Sequence, residues 1–211
     1  MKGEGSASSI LLEKIREQVG LTLHLISLIP ASAVAWRPET LTTSAIDDSG
    51  QRLPANSAER IQAVPGDQPN GPGMDGDTRL LSIGDLMGHL LDCMGGFCAV
   101  LHSANSSRLP HFQKLRDLPV NHFCQAEEAR ARIRDYMAHI EEGFAILDDA
   151  DLCRLLPTVF TPAGEAVLTL LLGNLEHLIN HKYQLFIYLR LLGVPVGTKD
   201  LYRIRGDANG G

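Results

Sequence analysis

Aromatic residues are scarce in this chain of 211 residues, 5 % of the total with a single Trp, and cysteine is limited to four positions, 93, 98, 124 and 153. No Cys-x-x-Cys pair and no regular spacing is present, which excludes the disulfide framework of small secreted domains and leaves four reduced core thiols. Basic residues are in deficit, 19 Lys and Arg against 25 Asp and Glu, for a formal charge of −6. Such a surface repels phosphate backbones and acidic membranes, so neither nucleic acid nor a membrane is expected as a partner. Residues 1–9 lack a basic region followed by an apolar core and a small-residue cleavage site, so a cytoplasmic location is expected. P-loop and dinucleotide glycine patterns, a Ser-His-Asp arrangement, fixed-period repeats and strand-like alternation between the helices are missing as well.

What remains is ordinary globular composition, 44 % hydrophobic and 21 % charged, with an apolar pattern of helical period. Over 9–29, Leu12, Ile15, Val19, Thr22, Ile26 and Ile29 line one helix face, with Ser8 or Ser9 as cap and Pro30 as stop. A second helix is predicted over 82–104, where Ser82 and Asp85 form a capping box ahead of a stripe running from Ile83 to Leu101. The third, 124–148, opposes an apolar face to a charged one carrying the Glu128 and Arg132 pair. The fourth, 162–192, takes Thr161 as cap, Pro162 at its first position, and Gly193 and Pro195 after its end. Its length would span a bilayer, but Glu176, His177, Asn180, His181 and Lys182 interrupt its middle, so a buried bundle helix is expected.

Residues 46–78 hold five Gly, four Pro and six acidic residues against two Arg, and so contribute −4 of the net charge. Apart from one short helix over 57–64, this segment reads as a long loop. The pattern predicts an all-α fold, a single four-helix-bundle domain over 1–211 with a long connection between its first and second helices.

Eight histidines stand out against the low aromatic content. His177 and His181 share a helix face at i, i+4, a spacing that offers two imidazoles to one divalent metal, although it also arises by chance. His89 lies at the margin of the second helix's apolar stripe, beside Leu86, Cys93 and Gly96 on a helical wheel. A ring at that depth needs a partner, either a shared metal or a hydrogen bond to a carbonyl or Glu176. Asp85, one turn earlier, is the candidate to accept its second ring N–H. Cys93, one turn later, is a small buried thiol or a fourth ligand. His24 reads as a hydrogen-bonded interfacial residue, and Tyr183 as packing.

The segments Ser82-Ile-Gly-Asp-Leu-Met-Gly-His89, Ile29-Pro30 with Trp36-Arg37-Pro38, Asn174-Leu-Glu-His177-Leu-Ile-Asn-His181-Lys-Tyr-Gln-Leu185 and Tyr188-Leu-Arg-Leu-Leu-Gly193-Val-Pro195 resemble the DinB/YfiT-like proteins, helix by helix and over essentially the whole chain. The resemblance implies an up-down-down-up bundle, often a homodimer, with His89, His177 and His181 holding a divalent metal, zinc or nickel. Members with assigned activities include mycothiol-dependent maleylpyruvate isomerase and bacillithiol transferases. A metal-dependent S-transferase acting on a low-molecular-weight thiol and a small electrophile is therefore expected, the alternative being a non-catalytic protein braced by its metal. No residue is assigned as catalytic beyond the metal ligands. Two features depart from the family pattern: Tyr183 stands where a Gly commonly precedes the Gln, and the acidic segment 46–78 exceeds the usual connection.

Overall fold

The computed structural model describes residues 5–38, 80–110, 117–159 and 161–202. The acidic segment 46–78 and the short helix expected over 57–64 lie outside the described residues. Four long helices carry the fold: α1 (Ala7–Ser27), α2 (Ile83–Ala104), α3 (Ala126–Ile146) and, after a one-turn helix α4 (Asp149–Leu152), α5 (Val167–Leu191). A second one-turn helix, α6 (Thr198–Leu201), follows.

Each boundary has a local cause. Ser6, rather than Ser8 or Ser9, caps α1 by accepting from the Ser9 amide at 3.2 Å. At α2 the expected box forms, the Asp85 amide donating to Ser82 Oγ at 3.1 Å and the Ser82 amide to Asp85 Oδ2 at 3.3 Å. The free amides of Ile83 and Gly84 donate to the carbonyls of Trp36 and Val34, so the segment after α1 completes the start of α2. α3 is two residues shorter at each end than its pattern suggests.

The fourth long helix is the main correction. Residues 161–166 are not helical: Leu155 pairs with Ala166 and Leu156 with Glu165 in a two-residue antiparallel ladder, β1 and β2, and α5 begins only at Val167. Gly164 sits at φ 94°, a left-handed conformation that ends any helix started at Pro162. The Thr161 amide donates to Thr158 Oγ1 at 2.9 Å and its carbonyl accepts from Gly164, so turn and ladder take the groups that a helix cap would have used.

Contacts fix the directions. α2 and α3 run parallel, since Cys124, just before α3, donates to the Gly84 carbonyl at the start of α2, while Gly143 meets Leu101 near both their ends. α1 opposes α3, because Arg16 reaches Glu141 at 2.7 Å and the Ala7 amide donates to Asp149 beyond the end of α3. α5 opposes α2, pairing His89 with His177 and Gly96 with Asn174, and runs parallel to α1. The bundle is thus all-α at its core and up-down-down-up. α2 packs against α3 and α5 and buries Leu86, Met87, Leu90, Leu91, Met94 and Phe97 completely. It is also the described helix long and apolar enough to cross a membrane, but 61 % of that stretch is buried by the other helices.

Candidate metal centre

His89 projects from the second turn of α2 toward the middle of α5, where His177 and His181 occupy successive turns of one face. The three rings form a triangle with centroid separations of 5.0, 4.4 and 4.7 Å. His89 Nε2 lies 3.1 Å from His177 Nε2. Cys93, one turn after His89, completes a group whose donor atoms all lie within 4.8 Å of one another. His177 and His181, paired by their spacing, and His89, joined to them by the family resemblance, are therefore brought together, and so is the thiol beside them.

The outer nitrogens are tied down. His89 Nδ1 donates to Asn121 Oδ1 at 2.6 Å, and His181 Nδ1 to Gln184 Oε1 at 2.9 Å. Gln184 is itself held by donating to the Tyr188 hydroxyl at 2.8 Å, which orients its carbonyl toward the ring. An amide oxygen is an acceptor only, so each of these contacts is made by Nδ1–H, which orients the ring with Nδ1 outward. Asp85 does not serve His89 as expected: its carboxylate is taken by the Ser82 amide and hydroxyl and lies 3.6 Å from Arg37.

Asn121 reaches His89 because the chain before α3 lies directly on α2. The Asn121 amide donates to the Gly88 carbonyl at 3.0 Å and the Cys124 amide to that of Gly84 at 3.1 Å. A Cβ on Gly88 would overlap the His122 carbonyl oxygen, and one on Gly84 would meet the Phe123 ring at 2.5 Å. Two glycines one turn apart thus form a track for the loop, and Asn121 takes a left-handed turn there at φ 54°, which Asn tolerates better than most residues.

Burial lowers the pKa of both His177 and His181, and the neighbouring His89 lowers them further. Asp92 on α2 opposes this at His177, and the Gln184 hydrogen bond opposes it at His181. Both rings are therefore neutral at physiological pH, the form in which imidazole binds metal. Burial, followed by the charge of Asp92, pushes the Cys93 thiol up to about 12. Two neutral nitrogens each 2.0–2.1 Å from one tetrahedral ion are about 3.3 Å apart. The 3.1 Å Nε2 separation and the imidazole and thiol donor set fit a borderline divalent cation.

The other histidines among the described residues have other occupations. His24 Nε2 meets Asp200 Oδ1 at 2.8 Å, His102 Nδ1 donates to the Leu109 carbonyl, and His139 faces Glu142. His122, Cys124 and Glu128 form a second close group of potential donors. There His122 is 3.0 Å from Glu128, and Arg132, 3.8 Å from the same carboxylate, already supplies a positive charge. Glu176 and Asn180 are exposed, which leaves Glu176 out of the site, and Tyr183, expected as packing, is exposed with its ring stacked on Phe186.

Sequence reasoning missed Asn121, Gln184 and Asp92 as parts of this site. Gln184 and Asp92 each follow a site histidine by three residues, so helical spacing contained their signal.

No protein-family model matches this chain, and no curated protein sequence matches it. Among solved structures, a DinB-like protein from Bacillus subtilis, YjoA, is similar over 88 % of this chain and 96 % of its own, with a TM-score of 0.54 and 17 % sequence identity. With the same helix directions implied by the sequence resemblance and recovered from the contacts, this likeness identifies the chain's architecture as a DinB-like fold.

Proposed function

We propose that this chain is a divalent-metal protein in which His89, His177 and His181 hold the ion, zinc or nickel, and that the site activates a low-molecular-weight thiol for transfer to a small electrophile. The observation that carries the reading is the convergence of three imidazoles from two facing helices, two of them fixed by amide oxygens with Nε2 turned inward. A divalent ion at such a site supplies Lewis acidity, lowering the pKa of a thiol or water that reaches it.

The residues around the site have definable tasks. Burial keeps His177 and His181 unprotonated, so a cation does not have to displace protons from them near neutral pH. Asn121 and Gln184 fix tautomer and ring orientation. Asp92 contributes a negative charge felt at His177, offsetting part of an ion's positive charge.

Two measurements test this. Tag-free protein expressed with zinc and nickel available should carry close to one divalent ion per chain, and His177→Ala should carry almost none. A wild-type content below about half an ion, with stability unchanged by chelator, refutes the metal reading. Glutathione, bacillithiol and mycothiol are then incubated with a panel of electrophiles, wild type beside His177→Ala. Equal rates for the two proteins refute the transferase reading and leave the ion as a brace between helices, a second reading favoured by the nearby Cys93 thiol.

A further inference from the structure

α2 and α5 run antiparallel, and each presents two potential donors at i, i+4 to the other: His89 with Cys93, and His177 with His181. In a helix bundle, donors spaced one turn apart on facing helices converge on one point in the core. We propose that Cys93 is the fourth donor of this site, so that the resting ion is held by three imidazoles and one thiolate. This rests on the metal reading above and deepens it.

Several observations carry the assignment. The side chain is 2 % exposed, so Cys93 Sγ is held within the helix interface rather than in solvent. Its sulfur belongs to the same group as the three ring nitrogens, all within 4.8 Å of one another. Of the other cysteines, Cys98 turns to the Tyr136 carbonyl on α3, Cys124 lies beside Glu128, and Cys153 is exposed. A donor set of three nitrogens and one sulfur selects zinc, cobalt, nickel or copper and discriminates against magnesium and calcium, which prefer oxygen. It also fills a tetrahedron, the arrangement of closed sites. Activation of an external thiol would then require Cys93 to give up its place.

The test uses the full chain, tag-free and loaded with cobalt(II) in a buffer without thiol. Wild type should show visible ligand-field bands of tetrahedral intensity together with the strong near-ultraviolet sulfur-to-cobalt charge-transfer band. Cys93→Ala should keep bound cobalt and visible bands but lose the charge-transfer band. Because a change in the core can unfold the chain, a second variant is made in which Cys98, Cys124 and Cys153 are all replaced by Ala, leaving Cys93 as the last sulfur of the four cysteines. It should retain the band. Cobalt binding without that band in wild type, or a band that survives in Cys93→Ala, overturns the fourth-donor assignment and leaves the three-histidine reading intact. A wild-type chain that takes up no cobalt, zinc or nickel overturns the metal reading and this assignment with it.

Discussion

Replacing Gly88 by Ala tests the link between the glycine track on α2 and the metal centre. A Cβ at this position overlaps the His122 carbonyl oxygen, and the loop must retreat by about 1–2 Å to reach van der Waals range. Overpacking of this kind costs about 1–3 kcal/mol. The retreat also pulls apart the two backbone hydrogen bonds that seat the loop, Asn121 to Gly88 and Cys124 to Gly84, each contributing about 1 kcal/mol. Against this, Ala is favoured over Gly within a helix by about 1 kcal/mol. The expected result for the metal-free protein is a net loss of about 2–4 kcal/mol. Gly95→Ala is the matched control, because the same helix has open space there and only the propensity gain of about 0.5–1 kcal/mol should appear. Urea unfolding of the three metal-free proteins gives both quantities. Zinc competition against a chelator gives the second readout: with Asn121 displaced from His89, affinity in Gly88→Ala should fall about 10–100-fold. If Gly88→Ala unfolds at or above the wild-type urea midpoint, or binds zinc as tightly as wild type, the proposed coupling between track and site is wrong.

Further predictions concern the supports of the same bundle. Asn121→Ala removes the acceptor of His89 Nδ1 and should weaken zinc about 10–100-fold, while Ala in the left-handed conformation at φ 54° should cost about 1–2 kcal/mol of urea stability; a stability loss with zinc affinity unchanged would refute the role of Asn121 at the metal site. Lys182 is 2 % exposed and donates to Gln18 Oε1 at 2.6 Å and to the Leu201 carbonyl at 2.8 Å, so Lys182→Ala leaves two buried acceptors unpaired and should cost about 2–3 kcal/mol. Limited proteolysis should then cut near α6 faster, and an unaltered digestion pattern would refute the role of Lys182 in holding α6 to the bundle. Asp200 has its pKa lowered by the Gly197 amide and by His24, so the folded state favours its ionised form. That contribution is present above the ordinary carboxylate value near 3.8 and is lost as pH falls through the lower folded-state value. The stability gap between wild type and Asp200→Asn should therefore close below about pH 4; a gap that widens toward acid would contradict the assignment.

How much was legible in the sequence depended on how local the cause was. The α2 capping box needs only residues three apart, and it forms as its spacing predicts. His177 and His181 share a face for the same reason, whereas the apolar depth of His89 asked only for a partner, and the family resemblance supplied the pair as that partner. The start of α5 was misread because Thr161-Pro162 is a good helix entry taken alone, whereas the competing ladder pairs residues across a turn and depends on Gly164 adopting positive φ. Asn121 was illegible for a different reason. It acts on a histidine 32 residues away, and the contact is created by a loop lying on two glycines whose only mark in the sequence is the absence of side chains.

The placement of the donors also bears on the order in which the molecule assembles. His89 and Cys93 leave the ribosome on α2, but His177 follows His89 by 88 residues, and Lys182 must find Gln18 across 164. Such distant pairings are paid in chain entropy before any contact returns it. A nascent chain that has completed α2 and α3 holds only two of the four proposed donors of this site, both from one helix turn. On the proposed metal reading, ion capture would wait for α5 to dock, and metal retention would report a finished bundle rather than guide an unfinished one.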